Sequence, residues 1–189
     1  DFVFMTDKKV RATPSAVNSL RRFMIEENSA DKSECLAGYY RDTQSLPHWW
    51  ARFLTSYADN AIIRKNPDFS GVSFTLAPDR GGQTDSWPVT GALVMSRVSA
   101  NALLRAGGFP EDFTVSYEDY AGVQTLLNQG VTINCSSDFT VEHGNRSSLV
   151  DFSREYLRTG WAAAQFYQKF PGSSFAARRR NQALAVALG

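Results

Sequence analysis

Two adjacent carboxylates, Glu118 and Asp119, are the residues of this chain whose types and spacing most directly indicate chemistry. They follow a glycine turn and a proline at residues 107–110, and they open a helical pattern that continues to Gly130. A carboxylate within hydrogen-bond reach of a hydroxyl can take its proton while the hydroxyl attacks an electrophile. Ser116 and Asp119 also have the spacing of a capping box, with Ser116 as cap and Asp119 as third helical residue. The two roles are compatible.

Single polar residues near predicted strand ends form a second group of candidates. Asp7 follows a run of strand formers at residues 2–5, and His143 ends another such run at residues 139–143. An Asp after a strand is more often an ordinary loop residue, and a His at a strand end is more often structural. On their own, therefore, these two residues do not predict a site.

Basic and aromatic residues form the third group of candidates. Arg154, Arg158 and Trp161 are spaced i, i+4 and i+7, which places them on one face of a predicted helix. That face is either a binding surface or a solvated basic face. Trp87, in a Trp-Pro pair, either stacks on a sugar ring or anchors its loop.

The elements that must position these residues alternate between strands and helices, which predicts an α/β layer fold. Residues 2–5 are expected to form a buried strand, and the helix after Thr13-Pro14 to carry a buried stripe. Residues 64–88 are rich in turn signals and predict a long loop. Ligands of such folds bind at the carboxyl ends of strands, where we expect Asp7, the loop around Asp79 and the acidic pair. The buried stripe predicted for the helix after Pro14 consists of Val17, Leu20, Phe23 and Met24. Further strands are predicted at residues 35–40, 91–95, 131–135 and 139–143. Further helices are predicted at residues 45–57, 99–106, 149–170 and 174–188.

Composition limits the class of protein. The chain has 189 residues, 43% of them hydrophobic, which predicts a globular domain and excludes general disorder. A net charge of +1 argues against an overall electrostatic grip on nucleic acid. The charge is nevertheless uneven, because residues 66–119 carry seven acids against three bases while residues 151–189 carry six bases against two acids. Cys35 and Cys135 fit neither a disulfide framework nor a zinc pattern, so we expect a reduced, cytoplasmic setting.

Several motifs, taken together and in order, resemble inverting glycosyltransferases of the GT-A fold, of the family 2 type. The resemblance covers roughly residues 1–170 and corresponds to the C-terminal, acceptor-side part of that family's domain. Its motifs are the strand and acidic loop of residues 1–10 with Pro14, Thr90-Gly91-Ala92, Gly107-Gly108-Phe109-Pro110-Glu111, Tyr117-Glu118-Asp119, Gly130 and His143.

The resemblance implies a partial GT-A fold, a mixed sheet flanked by helices, with C-terminal helices. Residues 1–147 would be the acceptor-side part of the domain, and residues 148–189 a helical segment packing on or covering the cleft. Asp119 would be the general base, with Glu118 beside it, in transfer of a sugar from a nucleotide-sugar to an acceptor hydroxyl with inversion. Trp87, Thr90 and Gly91 would contact the acceptor.

For the donor site, the resemblance implies that Asp7, Lys9, Arg154 and Arg158 contact the nucleotide-sugar or its diphosphate. Asp7 and His143 would be the metal ligands. Lys9 stands where the family has its second acid, however, and an ammonium cannot bind Mg²⁺ or Mn²⁺, which take oxygen ligands. Dependence on a divalent metal is therefore in doubt.

The sequence begins at Asp1 inside a predicted strand, so we expect it to be a piece of a longer protein. Because the family's nucleotide-binding half precedes this point, residues 1–189 are expected to be inactive alone. The alternative function is a catalytically inert module that binds a glycan or a protein partner. No nucleic-acid partner is expected. A membrane surface is expected only through the parent chain, at the inner membrane face.

Overall fold

The computed structural model describes residues 2–6, 10–26, 32–42, 73–77, 92–113, 117–143 and 149–173. These residues form an α/β structure with one mixed sheet and helices on both of its faces. The predicted helices at residues 45–57 and 174–188 lie outside the described residues. The strands are β1 Phe2–Thr6, β2 Val10–Ala12, β3 Glu34–Asp42, β4 Ser73–Leu76, β5 Ala92–Ser96 and β6 Thr132–His143; the helices are α1 Pro14–Arg21, α2 Arg97–Arg105, α3 Glu118–Asn128 and α4 Leu149–Lys169, and a π-helical turn, Arg22–Glu26, continues α1.

The sheet is built around β3 and β6, which run parallel to each other. Its order is β1-β5-β3-β6-β2, and β4 pairs with β6 on the same edge as β2. β1 pairs antiparallel with β5, and β5 antiparallel with β3, so β1, β3 and β6 all run in one direction. The carboxyl ends of these three strands therefore point the same way.

Three sequence predictions about the strands need correction. β1 is an edge strand of the described sheet, and Val3 and Phe4 are exposed rather than buried. The expected loop at residues 64–88 contains β4, whose four residues are held by antiparallel pairing with β6. The two strands predicted at residues 131–135 and 139–143 are one strand, β6.

A bulge in β6 explains why its sequence reads as two strands. Ala37 pairs with Cys135, but Tyr39 pairs with Thr140, so several residues of β6 lie opposite Gly38 alone. A Cβ added to Gly38 would lie 1.8 Å from the carbonyl oxygen of Phe139. Only glycine allows the backbone of β6 to approach β3 so closely.

Two hydrophobic clusters cover the two faces of the sheet. On one face α1 and its π-helical turn pack, through Ala16 and Phe23, against Leu36, Val94 and Val141. On the other face α2, α3 and α4 share a larger cluster with Cys35, Ala37, Leu93, Ile133 and Cys135. The fold is thus a three-layer arrangement with its sheet in the middle.

The start of α1 follows its sequence signal. Thr13 caps α1 by accepting the amide of Ala16 at 3.1 Å, and Pro14 follows in the first turn, as predicted. The predicted stripe of α1 is half wrong, because Val17 and Met24 are exposed while Ala16 and Ser19 are buried. The buried positions of α1 are thus occupied by small side chains, one of them polar, which an apolar pattern does not reveal.

Buried hydroxyls hold the start of α2. Ser96 caps the helix through the amide of Ser99, and its own hydroxyl donates to the carbonyl of Lys32 at 2.5 Å. The Ser99 hydroxyl donates to the carbonyl of Glu34 at 2.9 Å. α2 is therefore fixed to the start of β3 by two side chains that have no exposed surface.

Candidate active site

The candidate site lies at the first turn of α3, and Tyr117 is the residue that precedes this turn. Tyr117 is the N-cap of α3 with φ 70° and ψ 4°, a left-handed conformation that costs a residue with a Cβ on the order of 1–3 kcal/mol. Its carbonyl accepts the amide of Ala121 at 2.9 Å. The chain therefore turns sharply at Tyr117 and enters the helix with Glu118 and Asp119.

The predicted capping box is wrong. The helix begins one residue later than that prediction requires, with Tyr117 rather than Ser116 at the N-cap and with no side-chain cap. Asp119 is consequently the second residue of α3, not the third. Its carboxylate still lies in the first turn, where the helix macrodipole stabilises negative charge.

The glycine turn before the site packs directly onto α3. Gly107 and Gly108 have φ 95° and 80° and end α2, with the amide of Gly108 donating to the carbonyl of Leu103 at 2.9 Å. The ring of Phe109 then lies over Gly122, where an added Cβ would be 2.1 Å from a ring carbon. Sequence reasoning missed this contact, although a glycine inside a helical pattern was its signal.

α4 packs against the other side of the site. The ring of Phe166, which is fully buried, lies 5.7 Å from that of Tyr117 and 6.3 Å from that of Phe113. Tyr117 also stacks on Tyr120 at 4.7 Å. Aromatic contacts from α4 and from the first turn of α3 therefore hold Tyr117 in its left-handed conformation.

An exposed ion pair also joins α4 to the segment that precedes α3. The ammonium of Lys169 donates to Asp112 at 2.5 Å and lies 5.7 Å from the centre of the Phe113 ring. The hydrogen bond from Lys169 lowers the pKa of Asp112 from its usual range. Because both side chains are exposed, the pair contributes little to stability.

The two acids of the site differ in environment. Glu118 is exposed, whereas Asp119 is half-buried. Three residues connect α3 to β6, and both elements share the larger cluster, so α3 doubles back along the sheet. Glu118 and Asp119 lie at the end of α3 that is far from this connection, and α3 is about 16 Å long.

The other predicted site residues are distributed as follows. Asp7, Lys9, Trp87, Thr90 and Gly91 lie outside the described residues. Asp7 follows Thr6, the last residue of β1, and His143 is the last residue of β6; only its backbone is described. Two strands separate β1 from β6, so these two strands lie about 14 Å apart across the sheet. Their carboxyl ends are also offset along the strand direction, because Thr6 pairs with Ala92, next to the Leu93–Ala37 pair, whereas His143 pairs with Asp42 farther along β3.

The chain after β4 leads into the loop around Asp79, whose predicted position at the carboxyl ends of the strands is not tested. β4 runs antiparallel to β6 and ends at Leu76, opposite Ile133. The chain therefore leaves β4 at the end of the sheet where β6 begins, away from the carboxyl ends of β1, β3 and β6. Asp79 itself lies outside the described residues.

Arg154 and Arg158 are exposed on α4, as is Trp161 with 59% of its surface accessible. Within the described part of the chain, no three His, Cys, Asp or Glu side chains cluster closely enough to hold a metal ion. Cys35 and Cys135 are buried free thiols. Among the described residues, none of the helices combines the length and apolar character needed to cross a membrane.

Comparison with known proteins returned no relative: no protein-family model matches the chain, and no curated protein or solved structure is significantly similar to it.

Proposed function

We propose that this chain is the acceptor-side part of an inverting glycosyltransferase with a GT-A fold, in which Asp119 is the general base. The observation that carries the proposal is the placement of Asp119. It is half-buried in the first turn of α3, and two packed contacts, Phe109 on Gly122 and Phe166 on Tyr117, hold that turn. A base needs such restraint, because misplacement by about 1 Å can cost on the order of 10²-fold in rate.

The chemistry is a single displacement. The acceptor hydroxyl attacks the anomeric carbon of a nucleotide-sugar while Asp119 takes its proton, and the nucleoside diphosphate leaves from the opposite face. The oxygen–carbon bond forms as the bond to the diphosphate breaks, which inverts the anomeric centre. Glu118, exposed beside Asp119, would orient the acceptor.

The donor side of the proposal rests on sequence alone. Asp7, Lys9, Arg154 and Arg158 would contact the diphosphate, and Trp87, Thr90 and Gly91 the acceptor. Asp7 and His143 would hold a divalent metal, Mg²⁺ or Mn²⁺, whose chemistry would be to neutralise charge on the leaving diphosphate. The ammonium of Lys9, in the acidic loop, would supply part of the positive charge that the metal would otherwise provide.

The test is Asp119→Asn in the full-length polypeptide that carries this sequence. Release of nucleoside diphosphate from UDP-, GDP- and dTDP-sugars would be measured with glycan acceptors. We expect kcat to fall by about 10²–10⁴-fold while donor binding is unchanged, because the amide keeps the size of the side chain but cannot take a proton. Asp138→Asn, which removes an exposed carboxylate on β6, is the control. Equal turnover by Asp119→Asn and wild type would refute the assignment.

The second candidate is an inert module that binds a glycan or a protein, and Lys9 is the feature that favours it. Such a module would show no turnover with any nucleotide-sugar while still binding a glycan in calorimetry. In that case Asp119→Asn would change binding and nothing else.

A further inference from the structure

One face of α4 exposes large apolar side chains in a straight line. Val150, Leu157 and Trp161 are 65%, 78% and 59% exposed. At about 100° per residue, Val150 and Trp161 lie within about 40° of Leu157 around the helix. We call these three residues the α4 stripe; it runs about 16 Å along the helix axis. It lies opposite the buried residues Ala162 and Phe166, so α4 is apolar on two faces.

Basic residues accompany the stripe. Arg154 and Arg158 are exposed and lie about 60° and 100° from Leu157 around the helix. The acids of α4, Asp151 and Glu155, occupy positions about 120° and 160° from Leu157, farther from the stripe. The two exposed arginines therefore lie nearer to the stripe than the two acids of the helix do.

We propose that the α4 stripe docks on an anionic phospholipid surface, with Leu157 and Trp161 entering the boundary between headgroups and acyl chains. Helices that lie in this boundary combine an apolar line with arginine or lysine, and tryptophan is enriched at that depth. Each basic residue near an anionic surface strengthens partitioning about fivefold. The charge complementarity comes from residues 151–189 as a whole, which carry six bases against two acids.

The shape of the stripe favours a lipid surface over a folded partner. A stable protein interface usually buries about 800 Å² on each side around a packed centre. Three side chains in a line on a convex helix fall short of such a centre. A fluid bilayer can adapt to a convex helix and needs only about 5–10 Å of insertion.

The test is flotation of the wild-type chain with vesicles made of phosphatidylcholine and phosphatidylglycerol in equal parts, compared with phosphatidylcholine alone. We expect binding to the anionic vesicles that is at least about tenfold tighter and weakens as salt is added. Leu157→Gln should weaken that binding about tenfold, because it removes an apolar side chain that would be buried in the lipid. Leu104→Gln, at an equally exposed leucine on α2, should leave it unchanged.

Three results would overturn the proposal: equal binding to both vesicle types, no binding to either, or binding that Leu157→Gln and Leu104→Gln reduce alike. A lipid-free dimer in analytical ultracentrifugation that Leu157→Gln abolishes would assign the stripe to a second copy of the chain instead. The vesicle assay needs no sugar donor, and Asp119→Asn should float like wild type. Failure of vesicle binding is thus distinct from failure of the glycosyltransferase proposal.

Discussion

At the scale of single residues, the two cysteines show how burial controls reactivity. Cys35 and Cys135 lie on one face of neighbouring strands, with 0% and 2% of their surface exposed. Desolvation raises the pKa of Cys35 from 9.0 to about 12 and raises the pKa of Cys135 as well. Because the thiolate is the reactive form, both thiols should be inert in the folded protein.

We predict that a thiol reagent such as DTNB labels neither cysteine at neutral pH until the protein unfolds, when both react.

The raised pKa of Cys35 also predicts that the protein loses stability at alkaline pH. The unfolded chain loses the Cys35 proton near pH 9.0 while the folded protein keeps it to about 12, so the free energy of unfolding falls across that window. Cys35→Ala should show a shallower fall in urea titrations. Rapid labelling of the native protein would contradict this account.

Asp119 and Tyr117 show what could be predicted of the site from the sequence. The helix and its acidic first turn follow from the sequence between Glu118 and Gly130, which is a local signal. The left-handed Tyr117 does not, because the packing of Phe166, about 50 positions away in the chain, stabilises a conformation that tyrosine rarely adopts alone. Long-range contacts of this kind leave no local signal.

At the scale of elements, the contact between Phe109 and Gly122 joins the α2 turn to α3. Alanine normally improves a helix interior over glycine by about 1 kcal/mol. At this position a Cβ would meet the Phe109 ring at 2.1 and 2.5 Å, so we predict that Gly122→Ala destabilises the protein by about 1–3 kcal/mol. Urea unfolding followed by circular dichroism measures the difference.

The matched control is Gly160→Ala on α4, where a Cβ would meet nothing within 4 Å. That variant should gain about 0.5–1 kcal/mol, since only helix propensity changes. In a Phe109→Ala background, Gly122→Ala should also become stabilising. If Gly122→Ala and Gly160→Ala have the same effect in the parent protein, the Phe109 contact does not restrain α3.

The elements differ in how far their own sequence determines them. Thr13-Pro14 and Gly107-Gly108 mark a helix start and a helix end through chemistry confined to a few residues, and both predictions are confirmed. β4 has only four residues within a run of turn signals, and its pairing with β6 is what stabilises it. The β6 bulge depends on the space at Gly38, which belongs to another strand.

At the scale of the whole molecule, the hydrophobic clusters on the two faces of the sheet differ in size. α1 and its π-helical turn cover one face of the sheet, while α2, α3 and α4 form a larger cluster on the other. The acidic turn of α3 lies against α4, so α4 links the end of the described chain to the candidate site. Sequence periodicity predicted the helix α4 but not which element it packs against.

Phe166 is the residue through which this link can be tested. It is fully buried and contacts Phe113, Tyr117 and Phe170. We predict that Phe166→Ala lowers the free energy of unfolding by about 3–5 kcal/mol, because it removes a large ring from a packed cluster. Trp161→Ala, an aromatic truncation on the outer face of the same helix, should cost less than about 1 kcal/mol.

Hydrogen exchange distinguishes a loss of global stability from the undocking of α4 alone. If α4 is part of the cooperative core, Phe166→Ala should speed exchange of the slowest amides in β3 and β6 and of those in α3 by the same factor. If α4 only covers the site, exchange should rise in α4 and in the first turn of α3 while β3 and β6 keep their protection. The shared cluster of Phe166, Leu126 and Ile133 predicts the first result. The second would show that the acidic turn can open without unfolding the sheet.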